Sequence, residues 1–230
     1  MFELDRAKSG VPGIDELTEG GFPRGSMILV AGGTGTGKTI LASQFIHNGA
    51  AEYGEKGVYA TLEEDIPTFK RNMLRFGFDF ARLEKEGQAA LIDPQTLRSG
   101  GLDINLRQII DKMEEVKATR LVVDSLTALL AACEEKLSYR SAIYLIYEQL
   151  KAKQYTTLMT LSVPLGSLGL GMGIEEFLTD GLFQLENVID GYEMKTRLMI
   201  RKLRGTDHSR KVHRVMFLPT GLEIVPFTTT

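Results

Sequence analysis

The chain has 230 residues, 43% hydrophobic and 25% charged, ordinary globular proportions that exclude a disordered or fibrous protein. That length suits one α/β domain spanning 1–230 and leaves little room for two. The net charge of −3 conceals a basic segment, with eight Lys or Arg against one Asp between Lys195 and Arg214, so the remainder carries −10 and the whole is not the basic chain of a dedicated nucleic-acid binder.

Met1 to Ser9 is too charged for a signal peptide, and no run approaches 18 apolar residues, so a cytoplasmic chain with no membrane partner is expected. Ser9 to Gly21 reads as a short capped helix, with Pro12 in its first turn and Gly20-Gly21 ending it. Residues 1–25 form this lead-in. Met27 to Ala31 is an apolar run bounded by glycines, the mark of a strand buried on both faces. After a glycine loop, Ile40, Leu41, Gln44, Phe45 and Asn48 recur at helical spacing. The pattern then alternates: strand Val58 to Thr61, helix Ile66 to Phe76, strand Ala89 to Ile92, helix Ile104 to Val116, strand Leu121 to Val123, helix Tyr139 to Leu150, strand Thr157 to Leu161. Such βαβ repetition predicts a mainly parallel central sheet with helices on both faces, over a core of 26–162. Cys133, the single cysteine, reads as a small buried residue, and the three histidines are too scattered for a structural metal site.

Residues 163–230 differ. Val163 to Gly173 is glycine-rich and reads as a mobile loop. Leu182 to Val188, Thr196 to Leu203, Val212 to Leu218 and Leu222 to Val225 are strand-like runs with no helix between them, and predict a C-terminal antiparallel extension of the sheet.

Gly32-Gly33-Thr34-Gly35-Thr36-Gly37-Lys38-Thr39 has the spacing Gly-x-x-x-x-Gly-Lys-Thr between a buried strand and a helix. Glycines let successive backbone amides curl around phosphates, and the helix N-terminus adds partial positive charge. Gly33, Thr34, Gly35, Thr36, Gly37, Lys38, Thr39 and Ile40 are therefore the expected ATP-binding residues. Lys38 supplies a point charge to the outer phosphates and Thr39 a hydroxyl to Mg²⁺.

Asp124 ends the run Leu121-Val-Val123, at the strand tip where ligands of open α/β sheets bind, and is the expected second Mg²⁺ residue, directly or through water. Glu63 and Glu64 end their strand in the same way. One of them is the expected base that activates water, because Asp65 can cap the following helix and leave the pair for chemistry. Period-two alternation from Lys195 to Gly205 puts Leu198, Ile200, Lys202 and Arg204 on one face. A cation reaching a neighbouring subunit's γ-phosphate and a solvated edge that discourages aggregation explain that face equally well.

Taken together these segments resemble the RecA-like ATPases related to KaiC, in particular their single-domain archaeal and bacterial forms. The resemblance is carried by Ser9-Gly-Val-Pro-Gly-Ile-Asp-Glu-Leu17, Gly20-Gly-Phe-Pro-Arg-Gly25, the phosphate loop, Leu62-Glu-Glu64, Arg75-Phe-Gly-Phe78, Val122-Val-Asp-Ser-Leu-Thr127, Gly173-Ile-Glu-Glu-Phe-Leu-Thr-Asp-Gly181 and Lys202-Leu-Arg-Gly-Thr-Asp-His208. It implies a RecA-type core assembling into hexameric rings with ATP between subunits. It also implies that Glu63 and Glu64 act on water, and that Lys202, Leu203, Arg204, Thr206 and His208 reach the neighbour's ATP, with Arg204 catalytic. Two departures stand out: Glu176-Phe177 replaces the Ser-Thr pair that the two-domain clock protein autophosphorylates in its second domain, which argues against an autokinase, and Ser162 stands where many relatives carry an acid.

The resulting expectation is a Mg-dependent ATP hydrolase working as a homo-oligomer, in a regulatory or signalling role with a protein partner yet to be identified. A competing reading is an ATP-switched, single-stranded-DNA-binding or recombinase-like protein. The loop from Val163 to Gly173 contains no Lys or Arg, which weighs against phosphate contacts there.

Overall fold

The structure is a computed structural model that describes residues 4–98, 101–131, 139–164 and 178–226. The expectations for Cys133, for Glu176-Phe177 and for most of the loop Val163 to Gly173 fall outside those residues.

A two-stranded antiparallel sheet, β1 (Arg6–Ala7) against β2 (Phe22–Pro23), brackets the lead-in. The helix expected between Ser9 and Gly21 is reduced to a single 3-10 turn, Asp15–Leu17. Its physical cause is local. The Asp15 carboxylate accepts the Ser9 N–H at 2.8 Å, and Gly13 sits at positive φ where a Cβ would lie 1.9 Å from the carbonyl oxygen of Ile224. The segment is a loop pressed against the far end of the chain rather than a helix.

The core then runs as β3 (Met27–Gly32), α1 (Lys38–Tyr53), β4 (Gly57–Thr61), α2 (Ile66–Leu74), α3 (Phe80–Lys85), β5 (Ala89–Ile92), α4 (Pro94–Arg98), α5 (Leu102–Val116), β6 (Arg120–Asp124), α6 (Leu126–Ala131), α7 (Tyr139–Ala152) and β7 (Thr156–Ser162). It closes with β8 (Gly181–Asp190), β9 (Glu193–Leu203), β10 (Val212–Leu218) and β11 (Gly221–Pro226). One nine-stranded sheet takes the order β11-β10-β9-β8-β3-β7-β6-β4-β5. Every residue of β3, β4 and β6 is buried, as expected for strands covered on both faces.

The two faces carry separate cores. On one, Leu41, Phe45 and Ile46 of α1 with Phe69 of α2 and Phe80 of α3 pack against Val30, Tyr59 and Val122. On the other, Leu106 and Ile109 of α5, Leu129 of α6 and Ile146 of α7 pack against Leu29, Ala60 and Val123. The α/β class with helices on both faces is thus observed. Of the four C-terminal strands, β8 pairs parallel to β3 and belongs to the core register, while β9, β10 and β11 form the antiparallel extension.

The single-face arrangement of Leu198, Ile200, Lys202 and Arg204 is not what forms. The register of β9 on β8 shifts between Leu182 and Phe183, so Ile200 pairs with Phe183 but Lys202 with Leu182. A bulge advances the strand by one residue and exchanges its faces. Leu203 joins Leu198 and Ile200 in the first core, and Lys202 stands beside Leu182, a residue of the second.

Candidate functional site

Gly32 is the last residue of β3 and makes the loop possible. A Cβ there would lie 2.7 Å from both the Leu185 carbonyl and the Thr36 hydroxyl, a distance no side chain tolerates. Gly37, at φ 91°, turns the chain into α1, and the rings and methyls of Phe217 and Leu222 close on its α-carbon from the extension. The Thr36 hydroxyl donates to the Gly33 carbonyl at 2.8 Å, and the Asn187 amide reaches the Thr34 carbonyl at 3.4 Å. The loop from Gly33 to Gly37 is therefore shaped from both sides, while Lys38, Thr39 and Ile40 form the first turn of the helix above it.

Lys38 folds back over the loop, its ammonium donating to the carbonyls of Gly32 and Gly33 at 2.9 and 2.8 Å. Burial pushes its pKa below the ordinary lysine value, while the carboxylates of Asp124 and Glu63 work in the opposite direction. Asp124 lies at the tip of β6, two strands from β3, and is nearly buried. Both carboxylate oxygens are gripped by hydroxyls: Tyr59 of β4 donates at 2.6 Å and Thr160 of β7 at 2.5 Å. The Tyr59 phenol titrates well above its ordinary value, first because it is buried and then because Asp124 is beside it.

Glu63 and Glu64 follow β4, the strand next to β6. The Ser125 hydroxyl donates to Glu63 at 2.5 Å, and the Ser125 oxygen also accepts the Ala128 N–H at the start of α6. Glu64 turns toward α2, where the Asn72 amide donates to it at 2.5 Å. Burial raises its carboxyl pKa, Asn72 offsets part of that, and the charges of Asp65 and Asp124 add to it. Asp65 caps α2 by accepting the Thr68 N–H at 2.9 Å, so helix capping makes no demand on the glutamates. No ion pair among the described residues involves Lys38, Glu63, Glu64 or Asp124.

The basic segment lies elsewhere. Gly181 pairs with both Ile28 and Leu203, whereas the phosphate loop leaves β3 at Gly32. Lys202, Leu203, Arg204, Thr206 and His208 thus sit at the opposite end of the strands, roughly 13 Å or more from the loop of the same chain. Lys202 donates to the Thr179 carbonyl at 2.6 Å, Arg204 stands 3.5 Å from Asp180, and Thr206 accepts from Arg6 at 2.9 Å. His208 contacts the Ser209 carbonyl at 3.0 Å, and the Leu203 side chain is packed in the core. The fold gathers Gly33 to Ile40, Glu63, Glu64 and Asp124 at one end, and the five basic-segment residues at the other. Sequence reasoning did not reach Tyr59, Thr160, Ser125 or Asn72. Tyr59 and Thr160 stand at interior positions of their strands, and only register shows that they converge on Asp124.

A glycine-shaped loop between a buried strand and a helix, with a half-buried lysine on it and an acid at a nearby strand tip, defines a P-loop nucleotide-binding protein of the RecA type. Comparison with known proteins agrees. The family model described as "ATPase: KaiC" matches residues 7–229, and the chain belongs to that family. It is 33% identical to UPF0273 protein MJ1359 of Methanocaldococcus jannaschii and 35% identical to a UPF0273 protein of Thermotoga maritima, with 97% of each chain covered. It is 31% identical to the circadian clock oscillator protein KaiC of Parathermosynechococcus lividus, spanning 97% of this chain but 43% of that longer one. The crystal structure of the KaiC-like protein PH0186 from Pyrococcus horikoshii superposes with a TM-score of 0.90 at 41% identity, covering 97% of this chain and 100% of the other. No helix among the described residues is long and apolar enough to cross a membrane.

Proposed function

We propose that the chain is a Mg-dependent ATP hydrolase that works as a ring of its own copies, each nucleotide held between two subunits. The carrying observation is the separation of the two charged regions. The phosphate loop and its acids occupy the C-terminal tips of the strands, and the basic segment lies at their other end. A cation that cannot reach its own loop can serve the loop of the next copy in a head-to-tail ring.

The residues present fit a Mg-nucleotide. The loop from Gly33 to Thr39 offers amides, Lys38 is a desolvated cation whose bonds are to carbonyls, and Asp124 is an acid held in place by two neutral hydroxyls. Thr39 and Asp124 would hold Mg²⁺, which when bound neutralises charge on the phosphate oxygens. Glu63, fixed by Ser125 and close enough for its charge to act on Lys38, orients and deprotonates the attacking water; Glu64, with its raised proton affinity and its bond from Asn72 of α2, supports it. Lys202 and Arg204 of the adjoining copy would stabilise the charge that develops on the transferred phosphoryl group. Hydrolysis rather than autophosphorylation is the reaction proposed. A regulatory role is supported by the relative named as a circadian clock oscillator protein.

The test is solution mass and phosphate release measured together over a dilution series with Mg-ATP. Turnover per subunit should fall as assemblies dissociate, and a rate independent of concentration in a monomeric chain would remove the shared site.

A further inference from the structure

Resting on the reading that Arg204 serves the nucleotide of an adjoining copy, we propose that Asp180 is the positioning residue that aims Arg204. Asp180 immediately precedes β8, and its side chain is 12% exposed. One carboxylate oxygen accepts the Met27 N–H at 2.9 Å and the Lys151 ammonium at 2.6 Å; the other faces Arg204 Nη1 at 3.5 Å. The backbone closes the same junction. The Asp180 N–H donates to the Met27 carbonyl at 2.9 Å, and the Arg204 N–H donates to the Asp180 carbonyl at 2.8 Å. Beside it, Thr179 receives the Lys202 ammonium.

A single acid therefore joins the first residue of β3, the end of α7 and the residue that follows β9. The consequence is mechanical. A long arginine side chain loses rotamer freedom when it docks on an anion, and a carboxylate that holds it beforehand removes part of that cost. Arg204 remains 51% exposed while tethered at the long end of ion-pair distance, so it is steered without being enclosed. Because Met27 opens the strand that ends in the phosphate loop, the tether also fixes the reaching cation relative to its own subunit's nucleotide site. Each copy in a ring thereby presents its cation and its loop in a constant relation.

The experiment is a cycle of D180N, R204A and their double variant, with K151A as a control that also breaks an Asp180 ion pair but leaves Arg204 alone. The full chain is assayed for kcat and KM with Mg-ATP and for thermal stability. D180N should lower kcat about tenfold with KM within about twofold, and the double variant should fall no further than R204A, because both substitutions remove one function. K151A should lower stability and keep kcat. Wild-type kcat in D180N, or losses that multiply in the double variant, would overturn the positioning role while leaving the shared-site reading intact. Full kcat in R204A would remove both. Should D180N prove too unstable to assay, D180E keeps the charge and displaces it by one methylene: a depressed kcat at unchanged KM is expected, and an undiminished kcat overturns the proposal.

Discussion

The two ends of the parallel strands treat charge in opposite ways. At the N-terminal end, ions are paired with ions. Arg120, fully buried at the start of β6, donates to Glu55 at 2.7 Å and lies 4.6 Å over the Phe45 ring, Glu55 also binds Arg24 at 2.6 Å, and Asp180 holds Lys151 and Arg204. At the C-terminal end, Lys38 meets carbonyls, Asp124 and Glu63 meet hydroxyls, and Glu64 meets an amide. The first end is arranged to hold the fold. The second pairs none of these ions directly: Asp124 and Glu63 act on Lys38 only through their charge, an arrangement that gives up pairing energy and suits a site open to a charged ligand.

The sharpest way to break this contrast is at Lys38. K38A should weaken Mg-ATP binding by at least ~10²-fold, on the order of 2.7 kcal/mol, as read by titration calorimetry. The nucleotide-free variant should melt within about 2–4 °C of wild type, since relief of a partial desolvation offsets the loss of two hydrogen bonds. A K38A chain that bound normally would detach the loop from the ligand. E63Q with E64Q should keep binding and lower turnover by ~10²–10⁴-fold in a phosphate-release assay, since the isosteric amides preserve shape and lose the base. Turnover at the wild-type rate would place the base elsewhere.

The paired end answers differently. R120A should destabilise the chain by about 3–5 kcal/mol in urea titration, because Glu55 and the Phe45 carbonyl lose a buried partner, while nucleotide affinity of the folded fraction stays constant. A change in affinity without a change in stability would contradict the division between ends. The smallest effect concerns pH. Burial lifts the Glu64 pKa above its unfolded value, so the folded chain binds that proton more tightly and loses stability as pH rises through the raised pKa. E64Q alone should flatten that decline by under about 1 kcal/mol between roughly pH 4 and 7. Denaturant melts at both pH values measure it, and parallel curves for the two proteins would discount the Glu64 carboxyl.

What the sequence made legible follows from the range over which each signal acts. The βαβ alternation, the phosphate loop and the acids at strand tips are written in contiguous residues, and β5 forms over the very span expected, Ala89–Ile92. The short helices α3, α4 and α6 carry too few turns to show a period and were not anticipated. The bulge that moves Lys202 to the other face depends on how β9 meets β8, which no alternation within β9 reports. The hydroxyls on Asp124 are invisible for the same reason, since Tyr59 and Thr160 lie 65 and 36 residues away in the chain.

One contact described with the loop has a bearing on biosynthesis. Phe217 and Leu222 close on Gly37, and Leu222 also exchanges two hydrogen bonds with Gln44 of α1, at 2.7 and 3.0 Å across 178 residues. While a ribosome is still translating the middle of the message, the nascent N-terminal half has its glycines and its lysine but not the strands that brace them. The bracing of the phosphate loop is therefore completed only by β10 and β11, the last strands described.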